Sequence, residues 1–223
     1  MLTTLTRRLR SNDQGMTLPE VTVATMITLM VSAAFFTVFM AFNRNVQLAD
    51  QRASTLRDIR PVIAQMLLEL RQATDIDGDG AIIEKLDSSW SSLDLIFYSD
   101  RRPDIEGPER YRYYLTNCAN NICDFVHEVL PADAGSGPNW TYDNNTPAER
   151  TLISNVVASG GALLIGVSWN TGSEILTTSC GGATRCDFDV VRIDLRIDPD
   201  PETGTLAALQ IREDVRLRNG KRL

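Results

Sequence analysis

A run of 22 residues without an ionisable side chain, from Val21 to Phe42, constrains this 223-residue chain more than any other feature. At about 1.5 Å of rise per residue, the run forms a helix of roughly 33 Å, long enough to cross the hydrocarbon core of a bilayer. The alternative is a core helix of a soluble protein, but a buried helix of this length usually carries a polar stripe. The sequence therefore predicts a membrane-spanning helix.

The segment before this run, residues 1–15, is basic. It carries Arg7, Arg8 and Arg10 against a single acid, Asp13. Positive charge ahead of a first apolar helix keeps that end in the cytoplasm, so the rest of the chain is expected to be exported. The apolar run exceeds the roughly 7–15 residues of a secretory signal core, and no A-x-A cleavage site follows it, so a classical cleaved signal is not expected.

The junction between the basic and apolar segments carries a specific motif, GMTLPEV. Gly15 precedes a hydrophobic residue, Met16, and a lone carboxylate, Glu20, stands at the start of the apolar run. This junction resembles the class III signal of type IV pilins and type II secretion pseudopilins, although the family more often has Phe at the position of Met16. In that family a prepilin peptidase cuts after the glycine and methylates the new amine. The resemblance implies cleavage between Gly15 and Met16.

Glu20 is expected to seek a partner, because a carboxylate within a membrane helix costs up to about 2.5–3.5 kcal/mol. Its own helix offers no cation before Arg44. An N-terminal ammonium, of the same chain or of a neighbour, is the natural partner, and the resemblance implies that this pair sets the axial stagger of subunits. A carboxylate that simply favours the positive end of the helix dipole is a compatible alternative. Pro19 fits the first turn of such a helix.

Beyond Phe42 the pattern becomes amphipathic, which predicts one continuous helix from about Met16 to Thr74, bent at Pro61. The apolar positions recur at steps of three and four: Leu56, Ile59, Ile63, Met66, Leu67, Leu70 and Ala73. Charged residues lie between them: Arg52, Arg57, Arg60, Glu69 and Arg71. An acidic turn at residues 75–80 ends this helix.

The rest of the chain is predicted to form strands and turns. The candidate strands are residues 81–86, 93–98, 110–115, 122–129, 163–169, 188–197 and 206–217. The clearest is 188–197, where apolar and charged residues alternate as in a half-buried antiparallel strand. Residues 131–147 are rich in turn formers and are expected to form a long surface loop. A helix packed on an antiparallel sheet makes the predicted fold class α+β.

The predicted head also resembles PilW-like minor pilins and GspJ-like pseudopilins, loosely, in the segments RYRYYL (110–115), TLISNVV (151–157) and the closing strand (215–219). The resemblance implies a pilin-like fold with four parts. These are a leader (1–15), a transmembrane and filament-core helix (16–42), an amphipathic helix half (43–74) and a β-rich periplasmic head (75–223). It further implies a non-enzymatic structural subunit of a type IV pilus, with a type II secretion pseudopilin as the alternative.

The same resemblance implies partners and a location. The partners are the prepilin peptidase, the major pilin, other minor pilins or pseudopilins, the inner-membrane assembly platform, and the membrane itself through Val21–Phe42. The location is the bacterial inner membrane, with a cytoplasmic N-terminus and a periplasmic head, and later the pilus or pseudopilus. A net charge of −7 argues against a nucleic-acid partner, because phosphate binding needs clustered basic charge.

All four cysteines follow the apolar run. An exported head meets an oxidising compartment, so two local disulfides are preferred among the three possible connectivities, Cys118–Cys123 and Cys180–Cys186. Zinc is the rival interpretation, but the spacings C-x4-C and C-x5-C are looser than the usual zinc-binding pairs.

A short acidic motif, Asp75-x-Asp77-x-Asp79-Gly, copies the first half of a calcium loop. The twelfth position of an EF-hand needs a bidentate Glu, and here it is Leu86, so the motif is not an EF-hand. Two alternatives stay open: a calcium site completed from elsewhere, as on an adhesin head, and a solvated acidic helix stop. No other cofactor is expected.

An enzymatic function finds no support in the sequence. His127 is the sole histidine, which excludes a histidine pair within one chain, and no nucleophile motif lies near it. A surface or structural role is expected for His127. The glycine pairs match neither a P-loop nor a dinucleotide fingerprint. A membrane-anchored periplasmic enzyme, sensor or binding protein is the remaining alternative, and it would keep an intact N-terminus.

Overall fold

The structure is a computed structural model that describes residues 15–76, 81–89, 92–100, 107–136, 139–142, 144–170, 173–182, 186–201 and 206–217. The chain divides into two compact units, Met1–Ala49 and Asp50–Leu223. We call the described part of the first unit, residues 15–49, the stem, and the second unit the head. The leader arginines and the calcium candidates Asp77 and Asp79 lie outside the described residues.

A single long helix, α1, spans Leu18–Arg71 and contributes to both units. Its first turn forms on Thr17, whose carbonyl accepts hydrogen bonds from the N–H groups of Glu20 at 3.0 Å and Val21 at 3.2 Å. The helix continues through Pro61 and ends at Arg71. The expected extension to Thr74 is wrong, because Ala73 and Thr74 leave the helix to pair with a strand of the head.

The remaining elements of the described chain are strands. They are β1 Ala73–Thr74, β2 Ile83–Ser88, β3 Leu93–Ser99, β4 Glu109–Ala119, β5 Ile122–Leu130, β6 Ala134–Ser136, β7 Asn139–Thr141, β8 Ala148–Val157, β9 Leu164–Asn170, β10 Ser173–Thr177, β11 Ser179–Gly181, β12 Val190–Ile197 and β13 Leu209–Arg216. The predicted class, α+β, is confirmed. The loop expected at 131–147 is wrong in part, because it contains the two-stranded sheet β6–β7.

One large antiparallel sheet contains all of these strands except β6 and β7. Its order is β10-β9-β12-β8-β5-β4-β3-β2-β11, with β13 added to β12 and β1 added to β3. The antiparallel pairing agrees with the alternation of buried and half-buried residues along β3 and β12. The buried hydroxyl of Ser88, at the end of β2, accepts hydrogen bonds from the backbone N–H groups of Leu163 at 3.0 Å and Leu164 at 2.9 Å. This contact joins β2 to the start of β9, although five strands lie between them in the sheet.

The core of the head forms between the last turns of α1 and one face of this sheet. The helix buries an apolar stripe: Ile59, Val62, Ile63, Met66 and Leu70. The sheet opposes it with aromatic rings, and the centroid of Phe97 lies 5.6 Å from that of Tyr111 and 6.2 Å from that of Tyr113. Because residues i and i+2 of a strand share a face, the motif Tyr111-Arg-Tyr113 sends both rings into this core.

A two-residue turn connects β4 to β5. Ala119 pairs with Ile122, and both residues between them, Asn120 and Asn121, have positive φ, at 52° and 63°. Positive φ at both central positions defines a type I′ turn, which matches the twist of a β-hairpin and which Asn tolerates well. The sequence Asn-Asn therefore fixes the position of this hairpin.

Candidate functional site

The stem presents its apolar side chains outward along its whole length. All residues from 15 to 49 are exposed except Asn43 and Leu48, which are half-buried. The large exposed groups include Met16, Leu18, Met26, Leu29, Met30, Phe35, Phe36 and Phe42. By length and composition, α1 is a candidate membrane anchor. An apolar surface of this extent is unfavourable in water by about 25 cal/mol per Å², so it needs a lipid or protein environment.

The expected processing site lies immediately before this helix. Gly15 and Met16 are exposed and belong to no helix or strand, and α1 begins two residues later at Leu18. A peptide bond in exposed, non-helical chain is accessible to a peptidase without any unfolding. The Gly15–Met16 bond is thus open to the cleavage that the motif suggests.

Glu20 finds its partner within its own chain. Its Oε2 atom accepts hydrogen bonds from the backbone N–H of Thr17 and from the Thr17 hydroxyl, both at 3.0 Å. This arrangement of an N-cap threonine and a carboxylate three residues later is half of a capping box. The contribution of Thr17 was not expected from the sequence, although the spacing T-x-x-E carries the signal. The capping role is compatible with the assembly role expected for Glu20.

The four cysteines lie in two local disulfides, the pairs preferred on the basis of the sequence. Cys118 bonds to Cys123 across the β4–β5 hairpin, and Cys180 in β11 bonds to Cys186, each at an S–S distance of 2.09 Å. Zinc through these thiols is therefore excluded in this structure, because none of the four cysteines is free.

The calcium motif is described only at Asp75, which is half-buried just after β1. Leu86, at the twelfth position of the motif, is buried in β2. Among the described residues, no group of three His, Cys, Asp or Glu side chains could hold a metal ion. The full set Asp75, Asp77 and Asp79 stays a prediction.

A buried polar cluster joins α1 to the sheet inside the head. Glu69, only 1% exposed, accepts a hydrogen bond from the Tyr113 hydroxyl at Oε2, and His127 Nε2 lies 3.2 Å from the same oxygen. Gln65, one turn earlier, donates to Glu69 Oε1 at 2.9 Å. Tyr113 and His127 stand directly opposite each other on β4 and β5, so the sheet register brings both to one carboxylate.

Glu69, one of the charged residues that lie between the apolar positions in the sequence, is buried and does not lie on the exposed side of the helix. Glu69 lies three residues after Met66 and seven after Val62, both buried on α1, so it falls on the apolar stripe. That spacing is the signal that could have identified it. His127 is buried as well, which fits a structural role and not a surface one.

The charge of Glu69 is stabilised despite its burial. Burial alone raises the pKa of the Glu69 carboxyl, but the contacts with His127, Tyr113 and Gln65 more than offset it, so this pKa lies below its ordinary value. No described nucleophile belongs to the cluster. Its chemistry is that of a polar anchor, which fixes one rotation of α1 against the sheet.

The opposite face of the sheet carries a row of partly buried ion pairs. Asp94 on β3 lies 2.6 Å from Lys85 Nζ on β2 and 2.6 Å from Arg112 Nε on β4. Glu128 on β5 lies 3.4 Å from Arg110 Nη2 and 3.7 Å from Arg112 Nη1. Burial raises the pKa of Asp94, but Arg112 and Lys85 outweigh it, so this pKa lies below its ordinary value. The row links four neighbouring strands.

Comparisons with protein-family models, with curated proteins and with solved structures found no match. The functional interpretation therefore rests on the junction motif, the apolar helix and the geometry of the head.

Proposed function

We propose that this chain is a minor pilin or pseudopilin, a structural subunit that helps to assemble a type IV pilus, with a role in initiation or at the tip. One observation carries the proposal: an accessible Gly15–Met16 bond precedes a capped helix whose first acid is Glu20 and whose following turns, through Phe42, carry no ionisable side chain. Neither a soluble enzyme nor a simple anchored domain needs this combination of a cleavable glycine, an edge carboxylate and a helix that continues into a folded head.

The mechanism follows from the stem. The peptidase releases an ammonium at Met16, one residue before Thr17, whose N–H and hydroxyl hold the Glu20 carboxylate at 3.0 Å. In the membrane Glu20 keeps this cap. In a filament it exchanges the cap for the ammonium of a neighbouring subunit, an ionic partner that is stronger than a neutral donor. The exposed apolar side chains then leave the lipid and pack against other stems.

The head supplies the part of the surface that differs between subunits. Its section of α1 is fixed to the sheet by the apolar stripe and by Glu69, and its hairpin and β11 are closed by disulfides suited to an oxidising compartment. These features support a rigid, exported module that makes contacts with other subunits.

The test is incorporation of Glu20→Ala into filaments in the native host. We expect the variant to be cleaved and inserted normally but to be depleted about tenfold or more from the sheared filament fraction, because it cannot pair with the neighbouring ammonium. The control is Asp50→Ala, which removes an exposed carboxylate from the same helix. Equal recovery of both variants in the filament fraction would contradict the proposal.

The junction motif is common to both families, so it does not distinguish a type II secretion pseudopilin from a type IV pilus subunit. Deletion of the gene for this protein distinguishes them. Loss of surface pili with normal secretion of exoproteins selects the pilus. Loss of secretion with normal pili selects a type II secretion pseudopilin. A strain that keeps both would favour an anchored periplasmic binding protein and would oppose both branches.

A further inference from the structure

The large sheet ends at a strand without a second partner. Among the described strands, β10 (Ser173–Thr177) pairs only with β9, through the five positions from Ser173 opposite Asn170 to Thr177 opposite Gly166. Within the described part of the chain, no other strand covers the backbone N–H and C=O groups of its outer edge. Such an edge is a ready template for another strand, and proteins usually protect it with charged side chains, above all lysine, with proline or with a bulge. Within its five residues, β10 has no lysine or proline, its one charged side chain, Glu174, is paired with Arg192, and its register with β9 is regular.

The same strand carries most of the exposed apolar side chains of the head. Among the described residues of the head, only Leu68, Ile175 and Leu176 are large, apolar and exposed, at 48%, 44% and 53%. Two of the three are adjacent on β10, so they lie on opposite faces of the sheet at its edge. An unpaired backbone edge and exposed apolar groups therefore coincide on five residues.

We propose that β10 pairs with β10 of a second copy of this chain, antiparallel and centred on Ile175, to form one continuous sheet across two heads. A two-fold axis passes through the centre of such a pairing, and a centre at Ile175 is the one that pairs all five residues. Ser173 then faces Thr177 of the other copy, Glu174 faces Leu176, and Ile175 faces Ile175. Cross-strand pairs of hydroxyl and β-branched residues are favourable.

Charge supports a second copy as the occupant. Glu174 is the one charged residue of β10, and its carboxylate is already held by Arg192 at 2.8 Å. In the proposed register the two Glu174 side chains are not opposite each other, so no like charges meet, and the edge needs no basic partner.

The area buried between the two β10 strands limits the affinity of the proposed pairing. Stable interfaces bury about 1,200–2,000 Å² in total, and a five-residue strand pair supplies only part of this. The pairing is therefore weak between freely diffusing copies, and a covalent trap is the appropriate probe. The inference concerns the head alone and does not depend on the proposed role in a filament.

The test is disulfide trapping of Ile175→Cys in the full chain in detergent. The four native cysteines are paired, so the introduced thiol is the free one. Directly opposite residues of antiparallel strands have Cα atoms at a distance that a disulfide spans. Under mild oxidation we expect Ile175→Cys to form a dimer about tenfold faster than Leu68→Cys, which is similarly exposed but lies on the helix. Equal rates would overturn the proposal.

A mixing experiment checks direction and register. Glu174→Cys and Leu176→Cys are oxidised separately and together. The antiparallel register predicts that the mixed dimer forms several-fold faster than either homodimer. A homodimer of Leu176→Cys that forms as fast as the mixed dimer would overturn the proposed pairing. The proposal would also be overturned if Ile175→Cys stayed monomeric at every concentration because a different protein occupied this edge.

Discussion

Glu69 shows how one residue can fix the position of a helix. Its carboxylate is removed from water, which is costly, and is stabilised by Tyr113 and His127 on the sheet and by Gln65 on the helix itself. An apolar residue at this position would tolerate small rotations of α1. The carboxylate would not, because each rotation leaves a buried polar group without its partner.

Replacing Tyr113 with phenylalanine removes the hydroxyl that donates to Glu69 and leaves the ring in the core. We expect the free energy of unfolding to fall by about 1–3 kcal/mol, because the buried Glu69 carboxylate then loses one of its hydrogen-bond donors. The measurement is urea unfolding of the full-length protein in detergent. Tyr114→Phe, on the same strand but with its hydroxyl bonded to Glu149 near the surface, is the matched control, with a change below about 0.5 kcal/mol. Equal effects would contradict the account.

The pKa of Glu69 determines the direction of a pH effect. Because this pKa is lower in the folded state than its ordinary value of 4.5, ionised Glu69 stabilises the head above about pH 4.5 and loses this contribution as the pH falls through the folded-state value. Glu69→Gln should therefore weaken the decrease in unfolding free energy between neutral and acidic pH. Asp94 contributes in the same direction and remains in the variant. An unchanged pH profile would contradict this assignment.

At the scale of elements, the sequence predicts those parts whose burial is periodic. The strand at 188–197 is confirmed as β12 because Val191, Ile193, Leu195 and Ile197 alternate with charged residues and are all buried. The head section of α1 is found for the same reason, and its stem section is found from the length of the run without ionisable side chains. β8 is missed because its first four residues are exposed, β10 because it is short and mostly exposed, and β11 because it has only three residues, so no alternation distinguishes them from loop. Their position depends on pairing with distant strands, which no local pattern encodes.

The residues of the candidate site also differ in whether a local sequence pattern can identify them. Gly15, Met16 and Glu20 lie close together in the sequence and form a motif that can be identified from the residues alone. The Glu69 cluster joins distant residues, with Tyr113 lying 44 positions after Glu69, and the sheet register brings Tyr113 and His127 together. By composition alone, a carboxylate between apolar positions is also interpreted as part of the solvent-exposed face of the helix. Its burial follows from its place on the helical stripe.

The β4–β5 hairpin has two local constraints, a type I′ turn and the Cys118–Cys123 disulfide. A disulfide that closes so short a loop stabilises the folded state by about 2 kcal/mol, because it reduces the conformational entropy of the unfolded chain. We expect Cys118→Ser with Cys123→Ser to lower the unfolding free energy by about this amount while the turn keeps the hairpin registered. Chemical unfolding and amide hydrogen exchange at Asn121 to Phe125 measure the two effects. Full loss of protection in this hairpin would show that the turn alone does not hold it.

In the molecule as a whole, the stem and the head are stabilised in different ways. The stem has no core of its own, because nearly all of its apolar residues are exposed, and its stability depends on an apolar environment. The head has a core, an internal polar anchor and two disulfides. This division suits a subunit that first resides in a membrane and then moves into a filament, where the environment of the stem changes and the head does not.

If a peptidase removes the basic leader, as proposed, the N-terminus of the protein isolated from its native host will show it. Intact-mass and N-terminal peptide mass spectrometry should find a chain of 208 residues that begins at Met16 and carries one methyl group on its amine. A chain that begins at Met1 and retains Arg7, Arg8 and Arg10 would contradict the claim.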